Sequence, residues 1–207
     1  ASVHPGSGSS TCMGGSARAV GAGQYQRGAL DSSAGGDEQV LACCDGNRAW
    51  FEWCGFEKDD EKLVAVVGTH LRRCGLEPSA CWSDDGGSGM ILNNEFDRYF
   101  AGKNKDRPDD NDSRAWIRRF NFNGQPRDAK LYLNVRAEAY FHLADLIRLG
   151  KVVLPDDEKL REELAFIRYD VDSTPIQLVS KKKFPRSPNR ADALVMLFWE
   201  LDFETLT

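Results

Sequence analysis

The sequence predicts an α/β fold in which helices flank a mixed central sheet. Three β-rich segments stand close together near the start, and a clear helical pattern follows them. Shorter apolar runs then alternate with helical segments to the end of the chain. With 207 residues, of which 41% are hydrophobic, the chain is long enough to bury the core of one ordinary domain.

The opening strands are predicted at residues 29–33, 39–44 and 49–56. Between the second and third strands, Asp45-Gly46-Asn47 has the composition of a tight hairpin turn. Short connections of this kind join antiparallel neighbours. The domain therefore opens with three antiparallel strands.

A helix is predicted at residues 59–74, because apolar residues recur there at helical spacing and Gly75 follows as a C′ residue. A short buried strand at 80–83 and a second helix at 88–100 come next. The predicted order to this point is β-β-β-α-β-α.

The second half begins with a polar, charged segment at 102–114 that predicts a solvated loop. A helix at 134–149 begins with Asn134 as N-cap, and the last helix begins with Ser187 as N-cap and Pro188 at its first position. We expect that last helix to continue to Leu201. The remaining elements are a strand at 116–122, an extended piece at 152–154, a helix at 156–164 and strands at 166–169 and 176–180.

Composition and charge limit the classes of function. The formal net charge is −5, so a nucleic-acid partner would need a local basic patch. Six cysteines lie mostly in apolar runs without a C-x-x-C pair, which favours buried, reduced thiols (Cys12, Cys43, Cys44, Cys54, Cys74 and Cys81). Residues 1–27 are rich in Gly and Ser and predict a flexible linker or a segment left from expression, so the domain is expected at 28–207. No apolar run is long enough to predict a membrane-spanning helix.

Three aspartates are the candidate chemical residues. Asp31 ends the first predicted strand, Asp84 ends the fourth, and Asp192 lies at the start of the last helix. Taken singly, each fits an ordinary turn or helix position. Together they predict a site for Mg²⁺ or Mn²⁺, which prefer carboxylate and water oxygens.

Five motifs in this order resemble the nuclease domain of the large terminase subunit of tailed bacteriophages, from about Gly28 to Leu201. The resemblance implies an RNase H-like fold, two divalent ions and cleavage of concatemeric viral DNA during genome packaging. The motifs are Asp31-x-x-x-Gly35-Gly36-Asp37-Glu38, Asp84-x-Gly86-Gly87-x-Gly89, Asn134-x-Arg136-Ala137-Glu138, Gly150-x-x-x-Leu154-Pro155-Asp156-Asp157 and Ser187-Pro188-x-x-Ala191-Asp192-Ala193.

The resemblance places catalytic, metal-binding carboxylates at Asp31, Asp84 and Asp192, which would hold two Mg²⁺ or Mn²⁺ ions. Asp85 and Asp37 are possible further ligands, although only one of Asp84 and Asp85 can face the site if the strand continues that far. The family often has an acidic residue where Asn189 stands here, so an auxiliary carboxylate is absent or comes from Asp85.

The densest basic run directly precedes the last helix, where it predicts contacts with DNA phosphates. Its members are Lys181, Lys182, Lys183, Arg186 and Arg190. A solvated loop is the alternative interpretation.

The partners implied by the resemblance are double-stranded DNA, a terminase ATPase domain, the small terminase subunit and the portal, in the cytoplasm of a bacterial host and without a membrane. The chain has no G-x-x-x-x-G-K-[ST] motif, so it is not expected to be the packaging ATPase by itself.

Three alternative functions remain at this level. The glycines after Asp84 also fit a nucleotide-binding module of the actin or sugar-kinase type. A transposase or resolvase would share an RNase H-like core, and a non-catalytic adaptor domain would hold DNA without cutting it.

Overall fold

A computed structural model describes residues 26–32, 37–86, 89–103 and 116–201. Most of the predicted linker and nearly all of the predicted loop at 102–114 lie outside these residues. The described part confirms the α/β class and the order β-β-β-α-β-α with which the domain opens.

The central sheet has five strands in the order β3-β2-β1-β4-β5. The first three pair antiparallel, whereas β4 and β5 run parallel to β1, which makes the sheet mixed. The strands are β1 (Gln26–Asp31), β2 (Gln39–Asp45), β3 (Arg48–Gly55), β4 (Cys81–Asp84) and β5 (Arg118–Phe120).

The hairpin between β2 and β3 forms where the sequence predicts it. Asp45 pairs with Arg48, and Gly46 between them has a φ of 57°, a conformation that glycine adopts without steric strain. At the same end of the sheet, the central strand β1 begins at Gln26, two residues before the expected domain start, because Gln26 and Arg27 pair with β2.

In the described part of the chain, five α-helices cover the two faces of the sheet. A core between the sheet and α1 and α2 lies on one face, and a larger core that includes α3, α4 and α5 lies on the other. The helices are α1 (Asp60–Arg73), α2 (Gly89–Lys103), α3 (Val135–Arg148), α4 (Glu158–Phe166) and α5 (Asn189–Phe198). A small hairpin of β6 (Tyr169–Asp170) and β7 (Gln177–Leu178) precedes a 3₁₀ turn at Lys181–Lys183.

Several predicted helix ends are confirmed. The Asn134 side chain accepts a hydrogen bond from the Ala137 N–H at 3.0 Å and so caps α3. After α1, Gly75 has a φ of 67° and follows the C-cap Cys74, as predicted.

Several boundaries differ from the prediction. Phe166 belongs to α4, so the strand predicted at 166–169 shortens to Tyr169–Asp170. Pro188, instead of the predicted Ser187, occupies the N-cap of α5, so Pro188 is not the first helical residue. The helix ends at Phe198 instead of Leu201, because the Trp199 and Leu201 N–H groups bond to carbonyls three residues back, as in a 3₁₀ turn.

The described cysteines are free thiols, as the sequence predicts: Cys43, Cys44, Cys54 and Cys81 are buried and Cys74 is partly exposed, whereas Cys12 lies outside the described residues. No helix within the described ranges combines the length and the apolar character needed to cross a bilayer.

Candidate metal centre

Asp31 and Asp84 end neighbouring parallel strands. In the register of β1 and β4, Leu30 lies beside Ser83, so the next residues, Asp31 and Asp84, follow side by side. Ala29, two residues before Asp31, packs in the core beneath α3 and α5. Since side chains alternate along a strand, both carboxylates face the α5 side of the sheet.

Asp192 reaches this place from α5, which packs against β1, β2 and β4. Its side chain is fully buried at 0% exposure. The Tyr140 hydroxyl on α3 donates a hydrogen bond to Asp192 Oδ1 at 2.7 Å. On the other carboxylate oxygen, Lys181 Nζ lies 2.5 Å from Oδ2. The Asp192 carboxylate is therefore buried between a phenol and an ammonium group.

Neighbouring charges shift the pKa values of Asp84 and Lys181. Burial raises the pKa of Asp84, and the charges of Asp192 and Asp85 add to that rise, against the Gly86 N–H and Lys181. Burial alone would lower the pKa of Lys181, but Asp192 and Asp31 outweigh it and raise the pKa. We call Asp31, Asp84 and Asp192 the carboxylate cluster.

The carboxylate cluster fits a hard divalent cation by its chemistry. Its donors are carboxylate oxygens from three separate elements, and an ammonium group already occupies the position of a cation beside Asp192. As the side chains stand, no three His, Cys, Asp or Glu residues of the described ranges are close enough together to hold an ion. An ion bound at Asp192 would therefore compete with Lys181 for Oδ2.

Asp85 points away from the carboxylate cluster. Its Oδ1 accepts a hydrogen bond from Asn93 Nδ2 at 2.9 Å and lies 3.8 Å from Arg119 Nη1. Asp84 instead accepts the Gly86 N–H at 2.9 Å. This placement favours Asp84 as the ligand of the pair. The other possible ligand, Asp37, is exposed at the start of the segment that leads into β2.

Gly89 allows the start of α2 to pack against the end of β4. A Cβ atom at Gly89 would lie 2.2 Å from the Asp84 carbonyl oxygen, which is a severe clash with backbone. The glycine of the motif therefore permits the close approach that fixes the backbone of Asp84.

The residues of the basic run lie in different environments. Lys181 turns inward to Asp192, whereas Lys182 and Lys183 are exposed, and Arg186 forms an ion pair with Glu162. For Arg190, the structure does not support the predicted DNA contact.

Arg190 is only 8% exposed, and its guanidinium bonds to Glu38 and Asp157. The neighbouring Asn189 donates from Nδ2 to the Glu38 carbonyl at 2.6 Å. Both residues therefore bond the start of α5 to the segment before β2, and Arg190 also bonds it to the N-cap of α4. Asn189 has an amide and supplies no auxiliary carboxylate.

Sequence reasoning missed Tyr140. The buried face of α3 contains Tyr140 together with Leu143 and Leu146. A tyrosine three residues before a buried leucine on an amphipathic helix was the available signal, because a buried phenol requires a hydrogen-bond partner.

Glu163 on α4 was also missed, and it supports the start of α5. Its side chain is fully buried, and Oε2 accepts the Ala191 N–H at 3.0 Å. Burial raises the pKa of Glu163 to about 7, against the opposing effect of that N–H. Since Ala191 directly precedes Asp192, this carboxylate helps to hold the helix turn that carries the catalytic candidate.

Glu163→Gln is expected to change how stability depends on pH. A carboxyl group with a raised folded-state pKa stabilises the fold below its unfolded value of 4.5, and this contribution is lost as pH rises through about 7. Between pH 5 and pH 8, the variant should gain roughly 2.5 kcal/mol in free energy of unfolding relative to the parent. Urea unfolding at both pH values measures this difference, and an equal pH dependence of the two proteins would contradict the assignment.

Comparisons with known proteins identify the fold. No protein-family model matches the sequence, and no curated protein matches it. Among solved structures, the nuclease domain of the large terminase subunit of bacterial virus Sf6, a lysine-to-alanine mutant with manganese and β-thujaplicinol, is 20% identical with a TM-score of 0.65. That alignment covers 84% of this chain and 87% of the other.

The large terminase nuclease of thermophilic phage G20c gives a TM-score of 0.59 at 14% identity, covering 86% of this chain and 83% of the other. The same nuclease with bound magnesium gives 0.61 at 15% identity, covering 85% and 81%. The chain therefore has the RNase H-like fold of the nuclease domains of phage large terminase subunits.

Proposed function

We propose that this protein is a metal-dependent endonuclease that cuts double-stranded viral DNA during genome packaging, as the nuclease domain of a large terminase subunit. The convergence of Asp31, Asp84 and Asp192 from β1, β4 and α5 is the observation that carries the proposal. The fold in which they converge is that of terminase nucleases, and two of the solved relatives carry manganese or magnesium.

The proposed cofactors are two Mg²⁺ or Mn²⁺ ions held by Asp31, Asp84 and Asp192. Divalent ions in such a site supply a nucleophile at neutral pH and stabilise charge on the leaving oxygen. Asp31 lies on the central strand β1, beside Asp84 and against α5, so its carboxylate would contribute to the same site. Asp84 must be ionised to act as a ligand, so its raised pKa makes metal affinity increase with pH.

Lys181 compensates the buried charge of Asp192, which is the role that a divalent cation would supply when bound. Its side chain is 38% exposed, so the ammonium group has a path to solvent when it leaves. Tyr140 keeps its hydrogen bond to Oδ1 and thereby orients Oδ2 towards the position that Lys181 vacates.

The proposed partners extend beyond the carboxylate cluster. Lys182 and Lys183 lie exposed beside it and are the described lysines of the basic run that remain available to DNA phosphates. A terminase ATPase domain, the small terminase subunit and the portal are proposed partners in the cytoplasm of a bacterial host.

The alternatives are less well supported. A nucleotide-binding module of the actin or sugar-kinase type has no need for an aspartate on the last helix that is buried against the two strand-end carboxylates. A transposase or resolvase shares the RNase H-like fold, but the alignments with terminase nucleases extend over more than four-fifths of this chain.

The protein is expected to nick or degrade plasmid DNA with Mn²⁺ or Mg²⁺ in the absence of ATP. Ca²⁺ should bind without supporting turnover, because its larger and looser coordination shell positions the nucleophile poorly. Gel analysis of supercoiled plasmid over time measures cleavage, with EDTA and Ca²⁺ reactions as controls. A protein that is folded by circular dichroism yet leaves the plasmid intact at high concentration with Mn²⁺ would refute the proposal.

A further inference from the structure

Arg136 has a buried guanidinium group with almost no hydrogen-bond partner. It is 8% exposed, and Nη1 lies 3.5 Å from the Val179 carbonyl, at the limit of a hydrogen bond. Within the described residues, neither Nε nor Nη2 has a hydrogen-bond partner. A charged donor without a hydrogen-bond partner in the protein interior reduces the stability of the fold. A buried arginine of this kind therefore points to a role other than stability.

Arg136 lies beside the carboxylate cluster. It is one turn before Tyr140 on α3, and its guanidinium carbon is 5.4 Å from the centre of the Tyr140 ring. Its positive charge lowers the pKa of both Tyr140 and Lys181, against stronger effects that raise them. Asp192, the partner of those two groups, forms no ion pair of 4.0 Å or less with Arg136 within the described residues.

One short segment covers both Arg136 and Asp192. Val179 accepts the weak hydrogen bond from Arg136, the Phe184 ring centre is 5.9 Å from its guanidinium, and Lys181 between them neutralises Asp192. We call residues 179–184 the covering segment. Because Lys181 and the two residues that cover Arg136 belong to this segment, a shift that withdraws Lys181 also uncovers the guanidinium.

We propose that Arg136 binds a backbone phosphate of the DNA strand that enters the carboxylate cluster, once the covering segment has shifted. This inference rests on the proposed nuclease function and deepens it. The two anionic oxygens of a phosphate can accept paired hydrogen bonds from the planar guanidinium group of an arginine. A phosphate this close to three carboxylates also requires a nearby positive charge, because like charges repel. Metal entry and phosphate binding are thereby coupled through one segment.

The experiment measures binding of a fluorescent DNA duplex by anisotropy in Ca²⁺ at several salt concentrations, for the parent, Arg136→Gln and Arg136→Lys. Arg136→Gln should bind about tenfold more weakly, and the slope of log K against log salt should fall by about 0.9, the value for one phosphate contact. Arg136→Lys keeps the charge but loses the fork, so it should retain the slope with a smaller loss of affinity. Arg148→Gln, which removes one exposed charge at the far end of α3, is the matched control and should leave both quantities unchanged.

The outcomes separate the two proposals. If Arg136→Gln binds DNA with the affinity and slope of the parent while the parent cleaves plasmid, the role of Arg136 is overturned and the nuclease function stands. If Arg136→Gln fails to fold, Arg136→Lys decides: a folded Lys variant that binds DNA with the full affinity of the parent overturns the contact between the guanidinium and a phosphate. A folded parent that neither binds nor cleaves DNA overturns both proposals.

Discussion

Asp31→Asn is expected to abolish Mn²⁺-dependent cleavage, with a loss of about a thousandfold or more. An amide offers one neutral oxygen where the ions require shared negative charge. Asp84→Asn and Asp192→Asn should also lose most activity. Initial rates of plasmid cleavage over a range of Mn²⁺ concentrations measure the effect, since a weakened ligand should also shift the metal dependence to higher concentration.

Asp85→Asn is the matched control, because it removes a carboxylate next to Asp84 that bonds to Asn93 instead of facing the carboxylate cluster. Asp37→Asn, at an exposed position, should be mild as well. An Asp85→Asn variant that is less active than Asp84→Asn would show that the wrong member of the pair has been assigned.

Melting temperatures should separate Asp84 from Asp192 further. The pKa of Asp84 is raised in the folded state, so its ionised form reduces stability at neutral pH, and Asp84→Asn should melt at the parent temperature or higher. Asp192→Asn should melt lower, because it breaks the buried ion pair with Lys181. A clearly lower melting temperature for Asp84→Asn would mean that its carboxylate is structural.

Lys181→Ala is expected to increase the affinity for Mn²⁺ by roughly tenfold in the absence of DNA, equivalent to about 1.4 kcal/mol. The substitution removes the ammonium group that competes with a metal ion for Asp192. Without metal, the variant should be less stable than the parent, since a buried carboxylate has lost its cation. Calorimetric titration with Mn²⁺ and thermal unfolding with and without Mn²⁺ measure the two effects.

The control for Lys181→Ala is the double substitution of Lys182 and Lys183 by Ala. These exposed side chains should leave Mn²⁺ affinity unchanged while reducing the salt dependence of DNA binding by up to about 0.9 per phosphate contact. Equal Mn²⁺ affinity of the parent and Lys181→Ala would contradict the competition between lysine and metal.

The residues that the sequence predicts well are those whose local pattern determines their place. Gly46 marks the hairpin and Asn134 the helix start, because turn and cap chemistry depends on a few neighbouring residues. Asp31 and Asp84 end apolar strands, and pairing of those strands in parallel is enough to bring the two carboxylates together.

The residues that the sequence does not predict depend on tertiary packing. A run of three lysines is ordinarily a solvated surface, and nothing local shows that Lys181 alone turns towards Asp192. Arg190 belongs to the same basic run, yet Glu38 and Asp157, which are distant in sequence, hold it in the interior. The partner of Tyr140 likewise lies 52 positions away on another helix.

A crystal of the protein soaked in Mn²⁺, measured for anomalous difference density, would show directly whether the carboxylate cluster binds metal. We expect manganese peaks among the side chains of Asp31, Asp84 and Asp192, with Lys181 Nζ withdrawn from Asp192 Oδ2. A fully occupied manganese site elsewhere, with Lys181 still beside Asp192, would contradict this expectation.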